Sequence, residues 1–258
     1  MAQDVFQTRT FEFTTPSGHV VTIREQNGAD DDILSNPADA ATLMNLSKFV
    51  ASIVVKSDYT QSGRLTVDQV QNMPTLDRYC ILINSRIFSL GETIDFDHDW
   101  GENRGGKCSY EQDLREFLFD YSKEPTPEEL MAKPNAIPYY PMGGKTKDLS
   151  ITTTSGKELL FDLMTPADES WVANLPLEKQ TRNVVLLARN LRLKVQDKFE
   201  KVSNFSSFSA KDMSEIRKAV MAMDPIFMGT TEVQSPVTKE IESIAIVGLP
   251  GFFYPEEI

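Results

Sequence analysis

The chain has 258 residues, of which 40% are hydrophobic and 25% are charged, and its formal net charge is −12. This length suits two domains of about 110–130 residues each. The acidic balance argues against nucleic acid as a partner, because carboxylates repel the phosphate backbone. No apolar run approaches the roughly 18–20 residues that a membrane span requires. Residues 1–10 lack the cationic and apolar pattern of a secretory signal.

The first predicted element is a β-hairpin around the turn Pro16-Ser17-Gly18. Apolar residues alternate with polar ones on both sides of this turn, at Phe11, Phe13, Val21 and Ile23. Period-two alternation around a turn signal is typical of a hairpin.

Two amphipathic helices and a second hairpin are predicted next. The first helix begins at Ser35-Asn36-Pro37, a capping side chain followed by proline, and its apolar face is Leu43, Leu46, Phe49, Val50 and Ile53. A capping box at Thr66 opens a short helix. The second long helix follows Pro74, with the face Leu76, Tyr79, Cys80, Ile83 and Ile87. The second hairpin is predicted at 93–114.

Residues 123–147 contain five prolines: Pro125, Pro127, Pro134, Pro138 and Pro141. Proline stiffens a segment and removes backbone donors, so we interpret this stretch as a linker. Residues 1–122 form the predicted first unit, and residues 148–258 form the second.

The second unit repeats the order of the first. A predicted hairpin at 150–163 turns at Ser155-Gly156, and Leu159 and Phe161 hold the places of Val21 and Ile23. Ala167-Asp168-Glu169 and Trp171 likewise replace Ala29-Asp30-Asp31 and Ile33 at the same offset. Helices are predicted at 177–197 and after Ser209, and a strand at 241–247.

The shared order predicts an α+β protein made of two diverged copies of one hairpin–helix–helix–strand unit. We expect an approximate two-fold axis to relate the copies, with short antiparallel strands packed against a helix pair in each.

Three patterns resemble chemical sites but depart from them. The segment from Gly101 to Cys108 nearly matches the phosphate loop, but Cys108 stands where a magnesium-binding Ser or Thr is required. Asp95, Asp97 and Asp99 resemble the opening of a calcium loop but lack its glycine and terminal glutamate. Two histidines and two cysteines are too few and scattered for zinc. We therefore expect no metal, no cofactor and no catalytic residues.

Several segments resemble the T-even-type family of tailed-bacteriophage baseplate hub and tail-assembly proteins. They are Ser17-Gly18, Val21 to Asn27, Asp30 to Leu34, Ser109 to Tyr121 and Gly251 to Pro255. The resemblance implies a non-enzymatic structural or assembly role, in the host cytoplasm during assembly and in the tail baseplate of the virion. Its partners would be other tail and baseplate proteins, and self-association is left open.

Two alternatives stand beside this hypothesis. One is a transient assembly chaperone that the virion does not retain. The other is a metal-dependent hydrolase that uses Asp95, Asp97 and Asp99.

The aromatic cluster Phe252, Phe253 and Tyr254 is the predicted partner-binding site. Aromatic side chains are favoured anchors at interfaces. The competing interpretation is that these rings fold back onto the helices of the second unit as core.

Overall fold

The computed structural model describes residues 9–140, 145–247 and 250–253. The described residues are 36% helical and 23% strand, which confirms the α+β class. The strands are β1 (Thr10–Thr14), β2 (Val20–Arg24), β3 (Val54–Ser57), β4 (Thr93–Asp99), β5 (Lys107–Asp113), β6 (Leu149–Thr152), β7 (Glu158–Phe161), β8 (Arg192–Val195), β9 (Lys198–Lys201), β10 (Thr230–Gln234) and β11 (Ile241–Ala245). The α-helices are α1 (Gly28–Leu34), α2 (Pro37–Ala40), α3 (Met44–Ile53), α4 (Val67–Gln71), α5 (Thr75–Leu90), α6 (Pro127–Ala132), α7 (Pro166–Ala173), α8 (Arg182–Ala188) and α9 (Ala210–Met223).

Antiparallel strands organise the first unit. β2 pairs with both β1 and β3, and the register places Phe13 opposite Val21 and Phe11 opposite Ile23. Val21 and Ile23 are fully buried, which stabilises the fold by about 1.5–3 kcal/mol for each side chain. β4 and β5 form a separate two-stranded ribbon that follows α5.

The second unit likewise begins with a hairpin and ends with a two-stranded ribbon, but its sheet has a fourth strand. The sheet runs β6-β7-β8-β9, and a separate ribbon of β10 and β11 follows α9. Helices α1 and α7 begin at capping boxes with aspartate at the third helical position, Asp30 and Asp168. In each box the aspartate accepts from the capping backbone and the capping side chain accepts in return. Superposition of the units about a two-fold axis stays a prediction.

Two predicted helices differ from those of the structure. The helix after Pro37 breaks at Leu43, whose φ of 59° is left-handed, so that α2 and α3 are separate. The predicted helix at 177–197 is wrong. Residues Leu177–Lys179 form a 3-10 turn, α8 covers only Arg182–Ala188, and the rest enters strand β8. The positive φ of Asn190, 49°, ends the helical segment, since left-handed backbone cannot continue a right-handed helix.

The proline-rich segment is attached to the first unit. It contains α6, and its Ile137 and Tyr140 are buried. The Ile137 N–H donates to the Phe117 carbonyl at 2.8 Å, and the Tyr121 hydroxyl donates to the Ile137 carbonyl at 2.6 Å. These contacts anchor the middle of the segment, so it serves as more than a spacer.

One hydrophobic core continues through both units. Arg78 of α5 forms an ion pair with Glu169 of α7, and the Thr75 N–H donates to the Met164 carbonyl at 2.9 Å. The two ribbons also meet, because the Tyr110 hydroxyl donates to the Gln234 carbonyl at 2.9 Å. The first and second units therefore contact each other between α5 and the region of α7, and again between the two ribbons.

Candidate functional site

A buried polar cluster lies where the first hairpin meets helix α5. Ser17 in the β1–β2 turn donates its backbone N–H to Asp77 Oδ1 at 2.9 Å and its hydroxyl to Asp77 Oδ2 at 2.5 Å. Gly18 follows with a φ of 86°, a left-handed conformation that glycine adopts without strain. Asp77 is the third residue of α5, where the helix dipole favours a carboxylate.

Asp77 is surrounded by hydroxyl partners, and no described cation forms an ion pair with it. Tyr59 donates its hydroxyl to Asp77 Oδ2 at 2.6 Å. His19, the nearest basic side chain of the hairpin, instead places Nδ1 at 2.9 Å from Asp58. Burial raises the pKa of Asp77, and the hydrogen bonds from Ser17 and Tyr59 only partly oppose this effect. Burial and the neighbouring Asp77 also raise the pKa of the Tyr59 hydroxyl.

This cluster resembles an acid–base site in composition, but its position suits a different role. Asp77 is fully buried and Ser17 is 7% exposed, so a substrate approaching from solvent does not reach either group in this conformation. Three donors converge on one carboxyl group and connect the turn, the residues after β3 and helix α5. The cluster therefore holds the hairpin against the helix.

The second unit contains a matching contact with different electrostatics. The Ser155 hydroxyl donates to Asp212 Oδ1 at 2.6 Å, and Asp212 is the third residue of α9. Lys157 lies 3.2 Å from Asp212 Oδ2. The hydrogen bonds from Ser155 and Ser209, together with this lysine, hold the pKa of Asp212 well below its usual range. Sequence reasoning aligned the two turns but missed both aspartates, which lie about sixty residues further along the chain.

Two of the three predicted partner-binding aromatics, Phe252 and Phe253, lie against the first unit. Phe252 is fully buried, and Phe253 is 8% exposed. The Phe253 ring packs edge-on against Phe49 of α3, with centroids 5.4 Å apart, and its carbonyl accepts from Gln26 at 3.4 Å. Neither interpretation of the sequence foresaw this contact with the first unit. Tyr254 lies outside the described residues.

The three aspartates of the hydrolase hypothesis lie on strand β4, and two of them have local partners. Asp97 contacts Lys107 at 2.7 Å and accepts from Ser109 at 2.6 Å, while Asp99 accepts from the Gly101 N–H at 2.8 Å. Within 9–140, 145–247 and 250–253, no three His, Cys, Asp or Glu side chains are grouped as metal ligands. The glycine-rich stretch after β4 turns into strand β5, whereas a phosphate loop opens a helix.

A cavity of about 210 Å³ lies between the units. Its lining residues come from both halves and from the segment before β6: Asn72, Pro74, Thr146, Lys147, Asp162, Leu163, Thr165, Ala167, Asp168, Ala188, Arg189 and Asn190. Arg189 donates to Asp224 at 2.6 Å, and Asp162 accepts from Asn190 at 2.9 Å. These partners satisfy part of the charge around the cavity. The sequence carries no local signal for it, because its walls are distant along the chain.

The exposed apolar side chains are unevenly distributed. Nine of the thirteen large ones that are described belong to the second unit: Trp171, Leu177, Val195, Phe199, Met221, Ile226, Met228, Val237 and Ile241. Trp171 is 48% exposed, whereas Ile33 at the matching position of α1 packs against the core. The second unit therefore holds most of the exposed large apolar side chains that are described.

None of the helices in the described part of the chain combines the length and hydropathy needed to cross a membrane. No protein-family model, curated protein or solved structure matches this chain.

Proposed function

We propose that this protein is a non-enzymatic structural or assembly component of a tailed-phage baseplate, in the region of the hub. The observation that carries the proposal is the uneven exposure of apolar side chains on the second unit. A contiguous exposed apolar patch commonly marks contact with another macromolecule, and two of these side chains, Trp171 and Leu177, lie on α7 and in the turn that follows it. The sequence resemblance to baseplate hub and tail-assembly proteins supplies the class of partner.

Ile33 and Trp171 occupy matching positions in the two units, and the difference in their exposure locates the proposed surface on α7. Each is the sixth residue of the first helix of its unit, in α1 and α7. Ile33 packs against the hydrophobic core, whereas Trp171 is 48% exposed and Leu177, in the turn after α7, is 83% exposed. Aromatic residues often dominate the binding energy of an interface. We infer that α7 and the turn that follows it contact a neighbouring baseplate protein.

The first experiment is mass spectrometry of purified virions and of baseplate intermediates from infected cells. A structural component gives peptides of this chain in both preparations at a fixed ratio to other baseplate proteins. Peptides in the intermediates alone would identify the transient chaperone. Absence from both would refute an assembly role.

A second experiment tests the surface. Cells infected with phage lacking this protein are complemented with the wild type, with a Trp171→Glu and Leu177→Glu double variant, or with Met131→Glu as control. Met131 is 74% exposed and lies outside the second unit. We expect the double variant to fold with an unchanged melting temperature but to enter baseplates poorly, while the control assembles normally. Normal assembly of the double variant would place the contact elsewhere.

A further inference from the structure

The edge strand β9 combines an open backbone, unpaired positive charge and an exposed aromatic ring. It is the last strand of the sheet β6-β7-β8-β9, and all four of its residues are exposed. An edge strand presents N–H and C=O groups that can pair with another strand. Among the described residues, β8 is the only strand paired with it.

The register shows which backbone groups of β9 point outward. The Val202 N–H donates to the Leu191 carbonyl at 2.9 Å, and the next pair along the ladder is Arg192 with Lys201. In an antiparallel ladder, hydrogen-bonded and non-hydrogen-bonded pairs alternate. The N–H and C=O groups of Phe199 and Lys201 therefore point away from β8, toward the open edge.

Lysines outnumber acidic residues within β9 itself, although Asp197 lies in the turn before it and the whole chain has a net charge of −12. On β8, Arg192 is paired with Asp148 and Asp162, and Lys194 with Glu158. Lys198 and Lys201 form no ion pair with any described residue. Glu200, between them, is the one acidic residue of β9. The open edge thus carries two lysines with no described carboxylate within ion-pair distance.

The exposed ring of Phe199 lies on the same face as Lys201. Residues two apart on a strand share a face, and Phe199 stands opposite Lys194 on β8. Phe199 is 42% exposed. Lys198 and Glu200 lie on the opposite face. A strand added beside β9 would cover the Phe199 ring with an apolar side chain and set an acidic side chain against Lys201 on the same face.

We propose that β9 is a docking edge for an extended acidic segment of a partner protein, which adds as a fifth strand to the sheet of the second unit. Main-chain hydrogen bonds from Phe199 and Lys201 would supply affinity, as in other cases of strand addition. The lysines would select acidic segments and speed encounter. A polynucleotide fits less well, because it has no peptide main chain to pair with the outward N–H and C=O groups of Phe199 and Lys201.

The test uses the full chain and a fluorescent peptide of about eight residues with the repeat Glu-Glu-Val-Val, which presents both residue types on each face of a strand. Binding is measured by fluorescence anisotropy at low and at high salt. A peptide with the repeat Lys-Lys-Val-Val is the charge control. The acidic peptide methylated on alternate backbone nitrogens is the hydrogen-bond control, since it keeps its charge but loses donors. We expect only the unmethylated acidic peptide to bind well, and more weakly at high salt.

Two variants and one matched control locate the site. Lys201→Pro removes an outward donor without removing a ladder hydrogen bond to β8. The Lys198→Glu and Lys201→Glu double variant reverses the charge. We expect each to lower affinity for the acidic peptide about tenfold or more. Lys56→Glu, at an exposed lysine on edge strand β3 of the first unit, should stay within about twofold of the wild type.

Several outcomes would overturn the proposal. They are equal binding of the methylated peptide, unchanged binding by the charge-reversed variant, or no binding of the acidic peptide. Preferential binding of single-stranded DNA or anionic vesicles through these lysines would show that the ligand of this edge is not a peptide strand. Self-association abolished by the charge reversal, seen by sedimentation equilibrium, would make a second copy the occupant. If Lys201→Pro lowers the melting temperature strongly, binding of the methylated peptide to the wild type shows instead whether main-chain hydrogen bonds hold the peptide.

The inference depends on the proposed assembly role in one respect only, the identification of the partner as another baseplate protein. Peptide binding is measured without virions, so its failure leaves the mass-spectrometric test of the assembly role intact. Absence of the chain from particles would likewise leave a measured strand addition standing.

Discussion

Ser17 and Ser155 occupy matching turns, and each donates its hydroxyl to an aspartate in the first turn of a following helix. In the first unit Asp77 is surrounded by hydroxyl groups, and burial raises its pKa. In the second unit Lys157 accompanies Ser155, and the pKa of Asp212 is lowered. The same connection between hairpin and helix therefore occurs with a raised pKa of the aspartate in one unit and a lowered pKa in the other.

The residue two positions after each serine accounts for part of this difference. Lys157 extends toward Asp212, whereas His19 is held by Asp58 and lies over the Tyr59 ring with centroids 3.9 Å apart. The hydrogen bonds from Ser155 and Ser209 contribute most to the lowered pKa of Asp212 and Lys157 adds to them, whereas burial outweighs the hydrogen bonds at Asp77. The two units thus share the hydrogen bond from the turn serine hydroxyl to the aspartate, while the charge of the aspartate is set by its local surroundings.

The largest expected effect comes from breaking the attachment of the chain's end to the first unit. Phe252→Ala removes a fully buried ring and leaves a cavity, so we expect the free energy of unfolding to fall by about 3–5 kcal/mol. Urea denaturation followed by circular dichroism measures this. Met228→Ala, at a side chain that is 70% exposed, is the control and should change stability by less than about 0.5 kcal/mol. A small effect of Phe252→Ala would mean that the contact contributes little.

The next prediction compares the two aspartates. Asp77→Ala leaves the Ser17 N–H, the Ser17 hydroxyl and the Tyr59 hydroxyl without their acceptor. Buried donors without partners are costly, so we expect a loss of about 3 kcal/mol. Asp212→Ala should cost less, because Lys157 and Ser209 lie nearer to solvent. Equal losses in urea denaturation at neutral pH would contradict the distinction between the two contacts.

A smaller difference is expected between Ile33 and Trp171. Ile33→Ser should lower the free energy of unfolding by about 1–2 kcal/mol, because this partly buried side chain contacts the core. Trp171→Ser should change it by less than about 0.5 kcal/mol. Thermal unfolding of both variants at one protein concentration checks the pair. A marked loss for Trp171→Ser would show that its ring supports the fold.

The smallest effects concern pH. An aspartate in an unfolded chain titrates near about 3.9. The folded pKa of Asp77 is higher, so its contribution to the free energy of unfolding grows as the pH falls through the folded pKa and is absent above it. The folded pKa of Asp212 is lower, so its contribution is present above about 3.9 and is lost as the pH falls below that value.

Two substitutions separate these contributions. Asp77→Asn should reduce the gain in stability on acidification above about pH 3.9, and Asp212→Asn should reduce the loss below it. Urea midpoints measured across both intervals test this for each variant against the wild type. Since the pKa values of Glu169 and Asp224 are also raised by burial, part of the trend above about pH 3.9 persists in Asp77→Asn. Parallel pH profiles for all three proteins would contradict the assignment.

Local patterns in the sequence determined the hairpins and most helix starts. Alternating apolar residues around Ser17-Gly18 and Ser155-Gly156 predicted β1–β2 and β6–β7, because the side chains of a strand alternate between two faces. The capping residues Asn36, Thr66 and Ser209 marked helix starts correctly, since a cap needs only neighbours along the chain.

Tertiary structure decided the elements whose partners are distant along the chain. Residues 192–195 have a helical pattern, yet pairing with β7 makes them a strand, because the ladder gives their backbone groups partners that a local pattern does not reveal. The burial of Asp77 depends on a turn about sixty residues earlier, and the position of Phe253 depends on Phe49 of the other unit. Such contacts depend on how distant segments of the chain pack together in three dimensions, which the spacing of residues along the sequence does not reveal.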